Sequence, residues 1–292
     1  MNIGLTGASG LIGRKILDLA LRRGHEIIAF TRNPQHAIPG CTMRPFSLEE
    51  PPDITSCEAI IHLAGESVAG LWTAAKKRRI VASRVQGTRR IAEAINAAST
   101  KPEVLVSGSA VGFYGDRGEE ELTETAGGGT GFLADTVRAW EAEAAKAQGV
   151  RVAVVRTGIV LGIGGGALPL MRIPFRLGVG GRLGSGRQWM PWIHLDDTAQ
   201  LFLFAVENLD VHGPLNGAAP WPVRNEEFTR VLAKAVHRPA FIPVPAFVLK
   251  AALRGFSAEL LDSKRVLPAA ALEHGFGFRF PELEGALKNL LP

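Results

Sequence analysis

The chain has 292 residues, 46% of them hydrophobic, with a net charge of +5 and two cysteines. That is enough apolar material for a large core, as one big domain or two unequal ones. The composition argues against a disulfide framework, since Cys41 and Cys57 share one N-terminal segment, and it suits a reducing cytoplasm. No apolar run approaches the roughly 18 residues of a membrane span, and no basic stretch leads into a signal segment.

Residues 2 to 6 read as an apolar strand that runs into Gly7-Ala8-Ser9-Gly10-Leu11-Ile12-Gly13, and residues 11 to 23 as a helix closed by Gly24. Strand, glycine turn and helix in this order form a seat for a dinucleotide diphosphate. Gly7 allows the tight turn. Gly10 lets phosphates approach the free N–H groups of the helix start, and Gly13 lets the helix lie close on the sheet. His25 to Phe30 is a second strand, ending at Thr31-Arg32-Asn33-Pro34. An acidic residue there would select NAD; instead Arg32, with Thr31 beside it, is the candidate for a 2'-phosphate, so NADP(H) is expected in preference to NAD.

The proline-rich stretch from Pro45 to Pro52 reads as a connection, and Ala59 to Leu63 as a buried strand leading into Ala64-Gly65-Glu66-Ser67. A long helix is expected from about Ala74 to Asn96. Its Lys76-Lys77-Arg78-Arg79 run, with Arg84, Arg89 and Arg90, is either a solvated face or a patch for an anionic cofactor or substrate. A nucleic-acid groove would interleave aromatics with this charge, and only Trp72 is at hand. Val104 to Ser107 is a strand, Phe132 or Ala134 to Gln148 a helix, and Val152 to Arg156 a strand. This alternation specifies an α/β fold, a Rossmann-type doubly wound parallel sheet with right-handed crossovers.

Order changes after Gly158. Glycines crowd 162–166 and 178–186, Trp192 to Asp197 opens a helix running to about Glu207, and the tail from Pro220 reads as small helices punctuated by prolines. The expected organisation is an NADP-binding domain over 1–165, with 190–218 returning to it. A smaller, mostly helical substrate or lid domain would comprise 166–189 and 219–292. Trp189, Met190, Trp192 and Trp221 are candidates for an aromatic substrate wall, and Gly164 to Gly166 for a loop that closes over the ligand.

Four segments narrow the reading: Ile61-His62-Leu63-Ala64-Gly65-Glu66, Ser83 to Arg89, Val155 to Gly162 and Pro191-Trp192-Ile193-His194. Together they resemble an atypical subfamily of the extended short-chain dehydrogenases/reductases, the epimerase family proteins of SDR39U type. The tail, with Asn216 to Pro220 and Arg265-Val266-Leu267-Pro268, resembles the DUF1731-like C-terminal domain of that group, so the likeness spans essentially the whole chain. It implies NADP(H) binding, with Gly7, Ser9, Gly10, Leu11, Ile12 and Gly13 at the diphosphate and Arg32 at the adenosine phosphate. Leu63, Ala64, Gly65 and Glu66 would lie along the ribose and nicotinamide, and Arg84, Ser107 and Arg156 complete the expected cofactor contacts.

Catalysis is where the pattern departs. The ordinary family chemistry needs a Tyr to exchange a proton with the substrate oxygen, a Lys one helical turn on to lower its pKa, and a Ser hydroxyl to orient the carbonyl. The single tyrosine, Tyr114, stands in the loop after a strand, and Ser109 fits the serine's place. On the following helix neither Phe132 with Thr136 nor Leu133 with Val137 can serve as the pair. Three readings stay open. Tyr114 is the acid, with Arg84, Lys76 or His194 supporting a negative substrate; or Glu66 or Asp135 moves the proton; or the protein binds NADPH and catalyses nothing, as a sensor or scaffold. His62, His194, Asp196 and Asp197 read more simply as structural, the two aspartates as helix caps. The substrate is expected to be a small molecule, with an anionic one accommodated. A homodimer through the helices at 74–96 and 132–148 is expected, with no metal, nucleic-acid or membrane partner.

Overall fold

The computed structural model describes residues 1–291. The first half of the chain runs β1 (Asn2–Thr6), α1 (Leu11–Arg22), β2 (Glu26–Thr31), β3 (Cys41–Pro45), β4 (Ala59–His62), α2 (Ala74–Ala97), β5 (Val104–Ala110), β6 (Glu121–Leu122), α3 (Phe132–Ala144) and β7 (Arg151–Thr157). The second runs β8 (Ile159–Leu161), α4 (Ala167–Arg176), β9 (Trp189–Met190), β10 (Trp192–His194), α5 (Leu195–Glu207), β11 (Gly213–Gly217), β12 (Val223–Arg224), α6 (Asn225–Ala235), α7 (Ala246–Leu253), α8 (Ala258–Leu261), β13 (Arg265–Val266), α9 (Ala269–Glu273) and α10 (Leu283–Leu290).

Seven parallel strands form the main sheet in the order β11-β7-β5-β4-β1-β2-β3. Its central strands are near-continuous runs of Ile, Val, Leu and Ala because both faces are covered. On one face Ile16, Leu17 and Ala20 of α1 and Leu201, Phe202 and Leu203 of α5 pack with Ile3, Leu5 and Val106. On the other, Ile91 and Ile95 of α2 and Ala144 of α3 pack with Phe30, Ile60 and Leu105. Because every strand points the same way, their C-terminal ends share one edge, and the order reverses direction at β1 and β4. Ligand clefts of open α/β sheets form at that point.

A second core gathers Leu161, Phe175, Trp192, Phe228, Leu232, Leu283 and Leu287. The two units are stitched together. β11 joins the main sheet, Ala271 and Phe276 pack into the main core, and the buried Asp197 carboxylate accepts from the backbone N–H of Arg279 (2.8 Å) and Phe280 (2.9 Å).

Three elements differ from the sequence expectation. Cys41–Pro45 is an edge strand, where Pro45 costs no ladder bond. Helix α3 ends at Ala144 rather than Gln148; the Asn96 side chain donates to Lys146 O (2.9 Å) and accepts from Gln148 N (2.8 Å), which draws the chain out of the helix. Trp192–His194 is a strand, and α5 begins after it because the His194 ring, not Asp196 or Asp197, caps the helix by accepting from Asp196 N at 3.0 Å.

Candidate functional site

The turn after β1 is built by close backbone approach. Gly7 has φ +72°, and a Cβ on Gly13 would lie 2.1 Å from Gly7 O, so only glycine lets α1 rest on the strand end. Gly10 opens the helix in extended geometry with no side-chain cap, and no acidic residue stands in the first turn. The first N–H groups of α1 thus point outward unclaimed by any side chain, which suits an anion. Ser9 and Gly10 are exposed, Leu11 and Ile12 half-buried, and the loop at 162–166 lies against Leu11. That loop therefore lies beside the start of α1.

Beside this turn β2 delivers Thr31 and Arg32. Thr31 Oγ1 accepts from Asn33 N (3.3 Å), while the exposed Arg32 guanidinium has no hydrogen-bond or ion-pair partner among the described residues. On the other side of β1 the loop Leu63-Ala64-Gly65-Glu66 is pinned by a residue the sequence reading missed. Thr6 Oγ1 accepts from Leu63 N (2.9 Å) and Ala64 N (3.0 Å) and lies 2.8 Å from His62 Nδ1. With two N–H groups already on that oxygen, its own proton goes to Nδ1. The ring proton is left on Nε2, which is buried without an acceptor, and the ring packs edge-on against Phe46. A polar residue closing an apolar strand was the only sequence signal for Thr6.

Burial pushes the His62 imidazole down to about 4. The unfolded chain, with a pKa near 6.5, therefore binds the extra proton. Its contribution to stability is complete above pH 6.5 and is lost as pH falls toward 4, about 3 kcal/mol in all. Urea unfolding of His62→Gln should show a flatter loss between pH 7 and 4.5 than the wild type; parallel curves would remove His62 from the account.

The expected cofactor contacts do not all face this groove. Arg84 donates to Glu66 O (2.8 Å), stacks over Trp140 and lies against Gly65; burial pulls its guanidinium down to about 10. It clamps the loop from behind. Ser107 is wholly buried with its hydroxyl on Gly108 O, so it does not line the groove. Arg156 is 5% exposed, and four of its five N–H donors go to both Glu141 oxygens (2.9 Å each), Tyr114 Oη (3.0 Å) and Glu124 O (3.4 Å), so the guanidinium is held inside the fold and not presented to a cofactor.

A model of the NAD dependent epimerase/dehydratase family matches residues 3–216, and one of a domain of unknown function, DUF1731, matches 244–290. The chain belongs to the NAD dependent epimerase/dehydratase family. Among curated relatives it is 37% identical to the epimerase family protein YfhF of Bacillus subtilis, covering 100% of this chain and 98% of that one. It is 38% identical to the human epimerase family protein SDR39U1, covering 100% of both. The crystal structure of human SDR39U1 (isoform 2) with NADPH superposes with a TM-score of 0.92 at 36% identity, over 100% of this chain and 99% of that one. A nucleoside-diphosphate sugar epimerase from Corynebacterium glutamicum gives 0.82 at 33%, over 100% of this chain and 58% of that one.

Within this epimerase-family fold the proton-handling groups fall differently from expectation. Tyr114 is 0% exposed. Its hydroxyl lies 2.7 Å from Asn216 Oδ1 and 3.1 Å from Thr123 O, both acceptors, and receives the Arg156 N–H; burial raises its pKa. It is an interior strut and cannot swing out to a substrate. The Glu66 carboxylate hydrogen-bonds Lys76 Nζ at 2.7 Å, which holds its pKa below the usual range, so it is no proton donor near neutrality, and Lys76 is equally committed. Asp135 is exposed and paired with Arg138. His194 is buried, with its ring between Asp196 N and Asn289 and stacked on Phe280.

Ser109 remains, near the C-terminal end of β5 and 5% exposed, with its Oγ donating to Glu141 Oε1 at 2.5 Å. Glu141, on α3, was not anticipated; its signal was a carboxylate one turn beyond Val137 on the helix searched for the missing pair. The aromatic wall is not assembled either. Trp192 and Met190 are core residues, Trp189 donates to Glu119 and Trp221 stands exposed. Instead Trp72 meets Phe132 at the start of α3 (5.1 Å between centroids) and Phe256 of the C-terminal unit (5.9 Å), an aromatic contact that joins the two units.

Proposed function

We propose that this epimerase-family protein binds NADP(H) and acts on a small-molecule substrate as an oxidoreductase or epimerase. When bound, the cofactor supplies hydride exchange between its nicotinamide C4 and a carbonyl or carbinol carbon. The chain's own part is to bind, orient and handle a proton. The uncapped α1 terminus with Gly7, Ser9, Gly10, Leu11 and Ile12 would hold the diphosphate, and Arg32 with Thr31 the 2'-phosphate. The Leu63–Glu66 loop, fixed by Thr6, Ser83 and Arg84, would flank the ribose. Ser109 Oγ is the hydroxyl that can exchange a proton with a substrate oxygen, with the Glu141 carboxylate behind it as acceptor.

The observation that carries this reading is the unpaired Arg32 guanidinium at the end of β2, beside a helix terminus that no side chain caps. The crystal structure of the human relative with NADPH supports it. Titration of Arg32→Ala should show NADPH binding weakened roughly 10- to 100-fold, the worth of one charge-assisted contact, with NADH binding nearly unchanged. Equal losses for both dinucleotides would refute the assignment. A non-catalytic NADPH sensor is the second reading, favoured by the locked Tyr114 and by Leu133 and Val137 where the proton relay would stand. Turnover abolished in Ser109→Ala with NADPH affinity intact would exclude it.

A further inference from the structure

The chain is polarised in charge. Residues 163–192 and 228–258 contain nine Lys and Arg and no Asp or Glu, so the rest of a chain whose net charge is +5 is net acidic. These two stretches lie side by side. Val244 N donates to Arg182 O (2.9 Å), Gly184 N to Val244 O (2.8 Å) and Ile242 N to Gly180 O (3.4 Å). Arg182, Arg230 and Phe241 line one groove at their junction, with Glu226 the one carboxylate in its lining.

The same two stretches carry most of the large apolar side chains that face solvent. Leu170, Ile173 and Leu177 project from α4 and the turn after it, and Phe241, Ile242 and Phe247 from the strand-like segment and first turn of α7; Leu177 is 72%, Phe247 74% and Phe241 87% exposed. Arg176, Arg182, Arg230, Arg238, Lys250 and Arg254 stand among them, exposed and without a carboxylate partner among the described residues. Isolated exposed hydrophobes need no explanation, but a cluster of them set in unpaired cations does.

We propose that this face docks on an anionic lipid bilayer, with Phe241 and Phe247 entering the headgroup region and the arginines and lysines meeting lipid phosphates and carboxylates. Projecting Phe, Leu and Ile beside cations are the composition of an interfacial contact. A second copy of the chain would bring like charge against like charge. A nucleic acid would want stacking platforms along a groove, whereas four of these six apolar side chains are aliphatic. That no helix among the described residues is long and apolar enough to cross a membrane bears on crossing a bilayer and not on lying against one.

The test is sedimentation of the full chain, loaded with NADPH, with vesicles of phosphatidylcholine alone and with about one-third phosphatidylserine. The proposal requires binding to the anionic vesicles that weakens at least about tenfold in Phe241→Ser/Phe247→Ser and, separately, in Arg176→Ser/Arg182→Ser. No binding, equal binding to both vesicles, or binding indifferent to either pair of substitutions overturns it. So does a dimer that the Phe pair dissolves, or RNA binding that the Arg pair abolishes, without vesicle binding. NADPH affinity measured on the same preparations should not move, which separates this result from the dinucleotide assignment.

Discussion

Gly13→Ala should cost this protein both its NADPH affinity and much of its stability, while Gly10→Ala should cost mainly the affinity. A Cβ at position 13 falls 2.1 Å from Gly7 O, 2.8 Å from Gly7 C and 2.9 Å from Ala8 Cα. All three are backbone atoms, so no rotamer change relieves the clash and α1 must move off β1 by something on the order of 1 Å. Overpacking of this kind costs roughly 1–3 kcal/mol or more. The same shift misaligns every N–H of the diphosphate seat, for which a loss of at least about 100-fold in NADPH binding is expected. At Gly10 the added atom meets only Gly7 O, at 3.2 Å, so the fold should survive while the methyl occupies the space a phosphate needs. Chemical unfolding and NADPH fluorescence titration of the two variants check this. A Gly13→Ala protein with wild-type affinity would remove the diphosphate from this turn.

How much of this was legible in the sequence follows from how local each signal is. The glycine turn, the strand–helix alternation and Arg32 at a strand end are each written within a few residues, and backbone geometry alone determines where they go. What was misread depends on contacts between distant segments. Tyr114 looks like the one available phenol. It is a strut because Asn216, 102 residues on, and Arg156, 42 residues on, close around its hydroxyl. Arg156 looks like a cofactor contact at a strand end until Glu141 is seen to take two of its donors. Element boundaries were blurred for the same reason. β6 exists only because β13 pairs with it, and α5 starts where the His194 ring happens to cap it.

Glu141→Ala is expected to be the most damaging substitution near the cleft, and more for Arg156 than for Ser109. The Arg156 guanidinium sits against Phe113 at 3.6 Å and is nearly excluded from solvent. Burial disfavours its charge, and the hydrogen-bonded Glu141 carboxylate more than compensates, leaving its pKa raised. Removing the carboxylate strands a buried cation, which costs about 3–5 kcal/mol, and in a chain of this size lowers Tm by roughly 10 °C. Glu141→Gln keeps the shape and one acceptor oxygen but loses the charge and the second acceptor, so it should recover only part of that. Ser109→Ala removes only one hydroxyl donor and should stay near 1 kcal/mol. If Glu141 also accepts the proton that Ser109 passes back, Glu141→Gln should fold, bind NADPH with unchanged affinity and lose turnover. A purely structural Glu141 would lower Tm and leave the turnover per folded molecule, and its pH profile, as they were. The Gln variant therefore separates the two roles once turnover is counted per folded molecule, since it still faces Arg156 with one oxygen while the relay requires a group that can take a proton.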